Sequence, residues 1–316
     1  MSNEYNTVII DNEAFDIFKN KLIKALTDIY GSSAEVKEVH TTKNNDVKLT
    51  GISICSKHKN MGPTVYLEDL YNWYEKGMTL GEIVRTIIKM VEAEEDNLDF
   101  DADDFIDYEK ASKRIVYRLV NTEKNAKMLE KVPHFEYLDM SIIFCYVVDS
   151  NSWKRSNMSG TIVLYNDHIK SWNKTAEDIL EIAKMNTPEI YEADICHIGE
   201  IVDDMNNSMS GSMLTFSGDV SQVPLYVMSN KRRQYGAGVI LYDDFLEEFS
   251  ISNQHNFFLI PSSIHEMIAV IDNGYIDPES LKTMIYQVNR ECLSDTEVLS
   301  DSLYYYDFSK RELRLV

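Results

Sequence analysis

Four side chains that can take part in hydrolytic chemistry fall within five residues near the C-terminal end of the chain. Ser262, Ser263, His265 and Glu266 lie in the stretch FFLIPSSIHEMIAVIDNG, residues 257–274. A serine nucleophile needs an imidazole at hydrogen-bond distance to take its proton, and a third group that orients the ring. These residue types therefore indicate a candidate Ser/His catalytic site.

The same residues also have a structural interpretation. In an extended segment Ser263 and His265 share one face about 7 Å apart, and in a helical turn Ser262 and His265 are neighbours. In the extended form the two side chains can touch only with unfavourable rotamers, the helical turn has no local oxyanion hole, and the sequence contains no GxSxG motif. Alternatively, Pro261 ends the strand FFLI, the serines cap a turn with Glu266, and MIAVI forms the next strand. The structural interpretation is preferred, and the catalytic one stays open.

Two further patterns bear on metals and cofactors. His40, His58 and Cys55 can converge across a predicted hairpin as a nitrogen and sulfur set for zinc, although chance grouping of strand-end residues explains them better. Gly236-Ala237-Gly238 lacks the third glycine of a dinucleotide fingerprint and indicates close backbone approach instead. We therefore predict neither a metal site nor a cofactor.

Acidic side chains are concentrated in residues 92–109, which hold ten acidic and no basic residues. Asp99, Asp101 and Asp103 begin like a calcium loop, but Asp104 stands where that loop needs glycine, so no calcium site is predicted. The stretch is instead predicted to be a solvated junction. Its aspartates are candidates for binding a partner: Asp99, Asp101, Asp103 and Asp104.

The charge of the whole chain narrows the classes of partner. With 31 Lys+Arg and 52 Asp+Glu, the formal net charge is −21. Nucleic acids and anionic membrane surfaces attract clustered Lys and Arg, so neither is predicted as a partner. A basic protein partner fits the charge, and so does simple solubility. The sequence shows no apolar signal core and no apolar run of membrane-spanning length, which predicts a cytoplasmic location.

Periodic signals place the elements of the N-terminal part. Residues 13–30 predict a helix whose inward face carries Phe15, Phe18, Leu22, Leu26 and Ile29. Gly31 is expected to end that helix, and a hairpin is predicted around residues 43–45. Thr79 and Glu82 form a capping box that begins a second amphipathic helix.

The C-terminal part is predicted to be richer in strands. KRIVYRLV and the longer EYLDMSIIFCYVVD each indicate one strand, and VPLYVMS with QYGAGVILY indicates a hairpin with a basic tip. TIVLYNDHIKSW and GVILYDDFLEEF share the pattern of a buried strand leading into a capped helix, as a duplicated unit or because capped joints look alike. Asp277-Pro278 begins a helix with the apolar stripe Leu281, Met284, Ile285 and Val288.

Together these elements predict an α+β fold with mixed, largely antiparallel sheets, flanking amphipathic helices and a C-terminal β-hairpin, LYYYDFSKRELRLV. A smaller helix/hairpin/helix region is predicted at residues 1–100, and a larger α+β domain with a mixed sheet at residues 110–316. The acidic junction at about 92–109 lies between them. Whether the chain forms one domain or two stays open at this length.

Several phrases of the sequence together resemble one protein family: PTVYLEDLY, RLVNTEKNAKMLEKVPHFEYLDM, NTPEIY, YGAGVILY, IPSSIHEMI and VLSDSLYYYD. They are similar to a bacterial family of unknown function from gut anaerobes, domain-of-unknown-function family 5688, over nearly the whole chain. The acidic stretch matches least. The resemblance implies a cytoplasmic α+β protein and supplies no activity, cofactor or catalytic residue.

Two functions compete at this point. The first is a non-enzymatic protein-binding module that acts through an acidic surface on a basic protein partner. The second is a hydrolase built around Ser262, Ser263 and His265. We prefer the binding module, because every residue of the serine and histidine cluster has a structural role available.

Overall fold

A computed structural model describes residues 12–57, 62–95, 102–148, 160–200 and 224–316. These residues fall into two compact units, with residues 12–95 in the first and residues 102–316 in the second. Helices and strands occur in both units, and the described strand pairs are antiparallel. The α+β class, the antiparallel sheets and the C-terminal hairpin are therefore confirmed.

The first unit combines three helices with a three-stranded sheet. Its elements are α1 (Asn12–Tyr30), β1 (Ala34–Thr42), β2 (Lys48–Ser56), β3 (Thr64–Tyr66), α2 (Glu68–Glu75) and α3 (Leu80–Glu95), with a 3-10 turn at Asn44–Asp46. The strand order is β1-β2-β3. Gly31 follows α1 in the left-handed conformation that glycine adopts without steric cost, with φ +51°. The first helix and the first hairpin are confirmed.

Apolar faces of the helices and the sheet form the core of the first unit. Its buried side chains include Phe18, Leu22, Leu26, Ile52 and Ile83. The prediction that Ile29 lies on the buried face of α1 is wrong, because this side chain is 56% exposed. It lies in the last turn of α1, just before the chain turns at Gly31.

The first sheet of the second unit is built around the long strand β6. The elements are α4 (Ala102–Ile106), α5 (Tyr108–Ala111), a 3-10 turn (Ser112–Arg114), β4 (Ile115–Asn121), α6 (Ala126–Leu129), β5 (His134–Tyr137), β6 (Met140–Val148), β7 (Gly160–Val163), α7 (Asn166–Ser171) and α8 (Ala176–Ile190). β4 lies along one edge of β6, while β5 and β7 pair with different halves of the other edge.

The stretch predicted as one long strand, EYLDMSIIFCYVVD, is two strands joined by a tight turn. Leu138 adopts a left-handed conformation with φ 58°, which reverses the chain between β5 and β6. Asp139 accepts hydrogen bonds from the Tyr304 and Ser300 hydroxyls at 2.6 Å each. These distant partners fix the turn, and a local hydrophobic pattern does not reveal them.

The second sheet of this unit has six strands in the order β13-β12-β10-β11-β9-β8. The elements are β8 (Ala193–His197), β9 (Leu225–Asn230), a 3-10 helix (Gly236–Leu241), α9 (Phe245–Asn253), β10 (Phe257–Ser263), β11 (Glu266–Ile271), α10 (Pro278–Glu291), β12 (Tyr304–Asp307) and β13 (Glu312–Leu315). Tyr304 and Tyr306 belong to the largest apolar cluster of this unit, together with Leu259. Tyr305 packs on the other face of the sheet, so the tyrosines alternate as a strand requires.

The prediction that QYGAGVILY is the second strand of a hairpin is wrong, since residues 236–241 form a 3-10 helix. The buried Asn230 side chain accepts N–H groups of Arg232 and Gln234, which turns the chain out of the sheet after β9. A Cβ atom at Gly236 would lie 2.1 Å from the Ser229 hydroxyl oxygen and 2.5 Å from the His265 carbonyl oxygen. Close backbone approach at this glycine is therefore confirmed.

The apolar stripe predicted for α10 is only partly buried. Asp277 caps the helix through N–H groups of Glu279 and Ser280, as predicted. Ile285 is buried, whereas Met284 and Val288 are exposed. The helix instead turns Asn289 inward, where its side-chain amide donates to the Ser300 carbonyl at 2.9 Å.

Candidate functional site

The predicted catalytic residues form the turn of the hairpin between β10 and β11. Ser263 pairs with Glu266, so Ile264 and His265 are the two residues of the turn. The Ser263 hydroxyl accepts the backbone N–H of His265 at 3.0 Å. The Ser262 hydroxyl donates to the Glu266 carboxylate at 3.1 Å. The prediction that Pro261 ends the strand is wrong, because β10 continues through Pro261 to Ser263, whereas the predicted turn and the following strand are present.

The imidazole of His265 is held by a residue outside the hairpin. Its Nδ1 atom accepts the backbone N–H of Tyr235 at 3.1 Å, so the proton of the neutral ring lies on Nε2. A general base would need an unprotonated nitrogen directed at a serine hydroxyl. Within the residues that the structure describes, the two serine hydroxyls bind Glu266 and the His265 backbone instead.

The surroundings of His265 keep the ring neutral. Burial lowers the pKa of His265 below its usual range, and the positive charge of Arg118 acts in the same direction. Glu297 and Glu266 oppose this effect, and the Nε2 atom lies 3.9 Å from the Glu297 carboxylate. The ring is therefore a neutral group with one N–H on Nε2.

Arg118, Tyr235 and His265 form a layered group that we call the arginine stack. The Tyr235 ring packs on the His265 ring with centroids 5.6 Å apart and planes 23° from parallel. The guanidinium carbon of Arg118 lies 4.5 Å from the centroid of the same tyrosine ring. Tyr235 has a left-handed backbone with φ 53°, an uncommon conformation for an aromatic residue. The stack joins β4 to the β10–β11 hairpin.

A second candidate site in the same unit is an open cleft of about 270 Å³, which we call the aromatic cleft. Its lining residues are Tyr117, Lys184, Pro188, Leu241, Tyr242, Asp243, Phe245 and Glu248. Tyr117 on β4 and Tyr242 pack edge to face with centroids 6.3 Å apart, and Phe245 packs on Tyr242 at 6.2 Å. The three rings thus form a contiguous aromatic wall.

The hydroxyls of the two cleft tyrosines differ in their partners. Tyr242 donates to the Tyr191 carbonyl at 2.6 Å, which fixes its ring. The Tyr117 hydroxyl makes no hydrogen bond to the described residues, although the Tyr117 ring is buried. Burial raises the pKa of both hydroxyls, so both remain protonated at neutral pH. Tyr117 therefore presents a free donor and acceptor near Tyr242 and Asp243.

Two carboxylates and one ammonium group line the aromatic cleft. Asp243 and Glu248 are exposed, and neither forms an ion pair with the described residues. Lys184 lies 3.8 Å from Glu181 on its own helix. The electrostatic balance of the cleft is therefore negative, with two unpaired carboxylates beside an aromatic wall.

The acidic partner-binding candidates are only partly covered by the structure. Asp99 and Asp101 lie outside the described residues. Asp103 and Asp104 lie in the short helix α4, and the Asp104 carboxylate is 2.6 Å from the Lys110 ammonium. Asp103 and Asp104 therefore share a helix, and the Asp104 carboxylate is engaged by Lys110.

The histidine and cysteine group considered for zinc does not assemble. On the first hairpin His40 pairs with Thr50 and Cys55 pairs with Glu35, so they lie five residues apart along the ladder. His58 lies outside the described residues. The proposed convergence of His40 and Cys55 is wrong, and no group of three metal-binding side chains occurs in the described part of the chain.

Sequence reasoning identified His265 but missed its partners. The sequence does mark Arg118 as unusual, because this charged residue interrupts the otherwise apolar strand IVYRLV. Tyr235 carries no local signal, since it lies in a stretch that is predicted to be a strand. Tyr242 and Asp243 stand out only as part of a repeated pattern.

Comparison with known proteins identifies a family and no activity. The model of a family of unknown function, DUF5688, matches residues 15–308. Neither the search of curated proteins nor the search of solved structures finds a match to the chain. Within the described ranges, no helix has the length and apolar character needed to cross a membrane.

Proposed function

Because the chain belongs to DUF5688, a family of unknown function, we propose its function from its own geometry. The protein is a non-enzymatic binding module that holds a cationic side chain of a basic protein partner in the aromatic cleft. The observation that carries this proposal is the meeting of three aromatic rings and two unpaired carboxylates in one cleft. Aromatic faces attract cations, and carboxylates add charge complementarity.

The size of the cleft suits a single side chain. Pockets for drug-sized ligands have volumes of roughly 300–1,000 Å³, and the aromatic cleft, at about 270 Å³, is smaller. A lysine or arginine side chain can lay its apolar stem along the rings and bring its charged end to the carboxylates. The cleft thus fits one anchoring residue of a larger partner.

The backbone around the cleft also favours a cation. Lys184 and Pro188 lie near the C-terminal end of α8, where the helix dipole is negative. Because Pro188 has no N–H, the helix supplies no usual donor to the Lys184 carbonyl. A carbonyl with an unused lone pair is a favourable neighbour for an ammonium or guanidinium group.

The charge of the whole chain supports the same class of partner. A net charge of −21 attracts a basic protein over several ångströms and raises the rate of encounter. We propose that the acidic surface of the chain contributes to this attraction, while the cleft supplies the local contact. Binding is then expected to weaken as ionic strength rises.

The alternative function, a hydrolase at Ser262, Ser263 and His265, has weaker support. The serine hydroxyls and the Nδ1 atom of the imidazole take part in hydrogen bonds that build the hairpin and attach it to Tyr235. A nucleophile and base pair requires a hydroxyl bonded to the ring. The binding module is therefore the function that the geometry favours.

Small amino-acid derivatives provide the direct test. Titration with Nα-acetyl-lysine amide, followed by NMR, is expected to give saturable shifts at the cleft, whereas the neutral Nα-acetyl-norleucine amide gives much smaller ones. Asp243→Asn removes one cleft carboxylate and is expected to weaken lysine-amide binding about two- to fivefold, the effect of an exposed ion pair.

The neighbouring residue supplies a matched control. Asp244→Asn removes the same charge one position further along, from a residue that does not line the cleft. Asp244 has a left-handed backbone that asparagine adopts readily, so the fold is preserved. Equal weakening by both variants, or equal binding of the norleucine derivative, would contradict the proposal.

A further inference from the structure

Arg118 lies where a charge is costly. It is in β4, between Tyr117 and Leu119, which are both buried. Its side chain projects on the face of the sheet that carries Val116 and Cys145, a cross-strand pair in a small apolar cluster. Burying a charged group among apolar side chains costs free energy unless an opposite charge or several hydrogen bonds compensate.

The compensation that Arg118 receives is incomplete. Its Nε atom is fully enclosed and has no hydrogen-bond partner. In the part of the chain that the structure describes, no carboxylate lies within ion-pair distance of its guanidinium. The Tyr235 ring provides a cation–π contact, with the guanidinium carbon 4.5 Å from its centroid, and a hydrogen bond with the Tyr235 side chain also favours the charged form. Such a contact partly offsets the cost of an unsatisfied buried group.

The geometry of the arginine stack holds the guanidinium in one orientation. Tyr235 lies between Arg118 and His265, and its backbone N–H is bonded to the imidazole. A guanidinium carries five N–H donors, and the contacts with Tyr235 use only part of them. Arg118 is half-buried as a residue while its Nε atom is enclosed, so its exposed area lies on other atoms of the residue. A planar fork of donors held in this way matches the oxygens of a carboxylate or a phosphate.

We propose that the arginine stack is a binding site for an oxyanion, the carboxylate or phosphate group of a ligand, with Arg118 as the residue that binds it. The ligand would supply a negative charge and further hydrogen bonds, in addition to the contacts that Arg118 makes with Tyr235. This site is separate from the aromatic cleft, and its ligand has the opposite charge. The two proposals can therefore fail independently.

The charged groups around His265 make this ring a reporter of binding. Arg118 lowers the pKa of His265, whereas Glu266 and Glu297 raise it. An anion bound to Arg118 offsets the positive charge, so the pKa of His265 is expected to rise when the site is filled. Titration of the His265 ring therefore detects an anion that never touches the ring.

NMR titration of the wild-type protein tests the proposal directly. Inorganic phosphate and acetate are added in separate series at constant ionic strength, and the Arg118 Nε–H and His265 ring signals are followed. Saturable shifts of both signals with either anion are expected, and the anion that binds more tightly identifies the ligand class. Absence of a saturable shift in both series would overturn the proposal without any variant.

Two arginine variants separate this site from general salt effects. Arg118→Met is expected to weaken the anion response of His265 by about tenfold or more, the loss of a charge-assisted bidentate contact. Arg314→Met removes another arginine that contacts a tyrosine ring, at 5.1 Å from Tyr305, and is expected to keep the wild-type response. An unchanged response in Arg118→Met would overturn the proposal.

The stability of Arg118→Met in the absence of anions distinguishes binding from architecture. If Arg118 is kept for a ligand, replacing it by an apolar side chain of similar length removes an unsatisfied buried group, and the melting temperature stays the same or rises. If Arg118 instead holds the fold together, this variant melts well below the wild type. That second result would overturn the assignment of Arg118 as a ligand-binding residue.

Discussion

Tyr235 shows how one residue sets the geometry around His265. Its left-handed backbone costs about 1–3 kcal/mol for a residue with a bulky side chain, with φ 53°. Two contacts offset this cost: the N–H bond to His265 Nδ1 and the ring stack on the imidazole. Gly236 follows at once because any side chain there would collide with Ser229. The positions of these residues depend on one another.

Protonation of His265 is expected to destabilise the protein. A proton on Nδ1 removes the acceptor of the Tyr235 N–H, and burial lowers the pKa of the folded ring. The unfolded ring titrates near pH 6.5, so between that pH and the lower folded pKa the unfolded state binds more protons. Stability is therefore full above about pH 6.5 and declines as the pH falls.

Urea unfolding at a series of pH values between 8 and 5 measures this effect. His265→Asn keeps an acceptor for the Tyr235 N–H and removes the titrating ring. The free energy of unfolding of this variant is therefore expected to fall less over this pH range than that of the wild type. His255→Asn, which removes an exposed ring, serves as the control. Superimposable pH profiles for wild type and His265→Asn would contradict the role given to this ring.

The sequence predicts a helix or strand well when residues close in sequence fix where it begins and ends. It does not predict those whose ends depend on contacts with residues distant in sequence. Thr79 and Glu82 define the start of α3 through reciprocal hydrogen bonds over three residues. The turn at Leu138 and the 3-10 helix at 236–241 depend instead on Asp139 binding Tyr304 and on the packing of Gly236. Local hydrophobic patterns contain the first kind of information and lack the second.

Removal of the capping box is expected to weaken the first unit measurably. Thr79→Ala loses the side-chain acceptor of the Glu82 N–H and should lower the free energy of unfolding by about 0.5–2 kcal/mol. Thr86→Ala is the matched control in the same helix, where the hydroxyl only donates to the Glu82 carbonyl one turn earlier. Because alanine is the better helix former, this change should be neutral or stabilising. Equal losses in the two variants, measured by urea unfolding, would argue against a capping role.

At the scale of the whole molecule, the two compact units have separate cores. The core of the first unit lies between α1, α2, α3 and the sheet of β1 to β3, and Leu22 is fully buried in it. The largest core of the second unit includes Leu259 of β10, which is also fully buried. We propose that the units are separate domains, in keeping with the regions 1–100 and 110–316 expected from the sequence.

Matched core substitutions test whether the units unfold separately. Leu22→Ala and Leu259→Ala each remove a fully buried side chain and should cost about 2–5 kcal/mol in their own unit. Differential scanning calorimetry of the intact chain is expected to show two transitions, with each variant lowering a different one. A single transition that both variants lower equally would instead indicate one cooperative domain.

The sequence by itself determined the α+β class, the first helix, the first and last hairpins, the caps at Thr79 and Asp277, and the excess of acidic residues. These features follow from side chains at most a few residues apart, or from simple counts. Only the tertiary structure decided that His265 meets Tyr235 and Arg118, and that Tyr117, Tyr242 and Asp243 share a cleft. The residues of each site come from elements distant in sequence, and their meeting depends on how the sheets and helices pack.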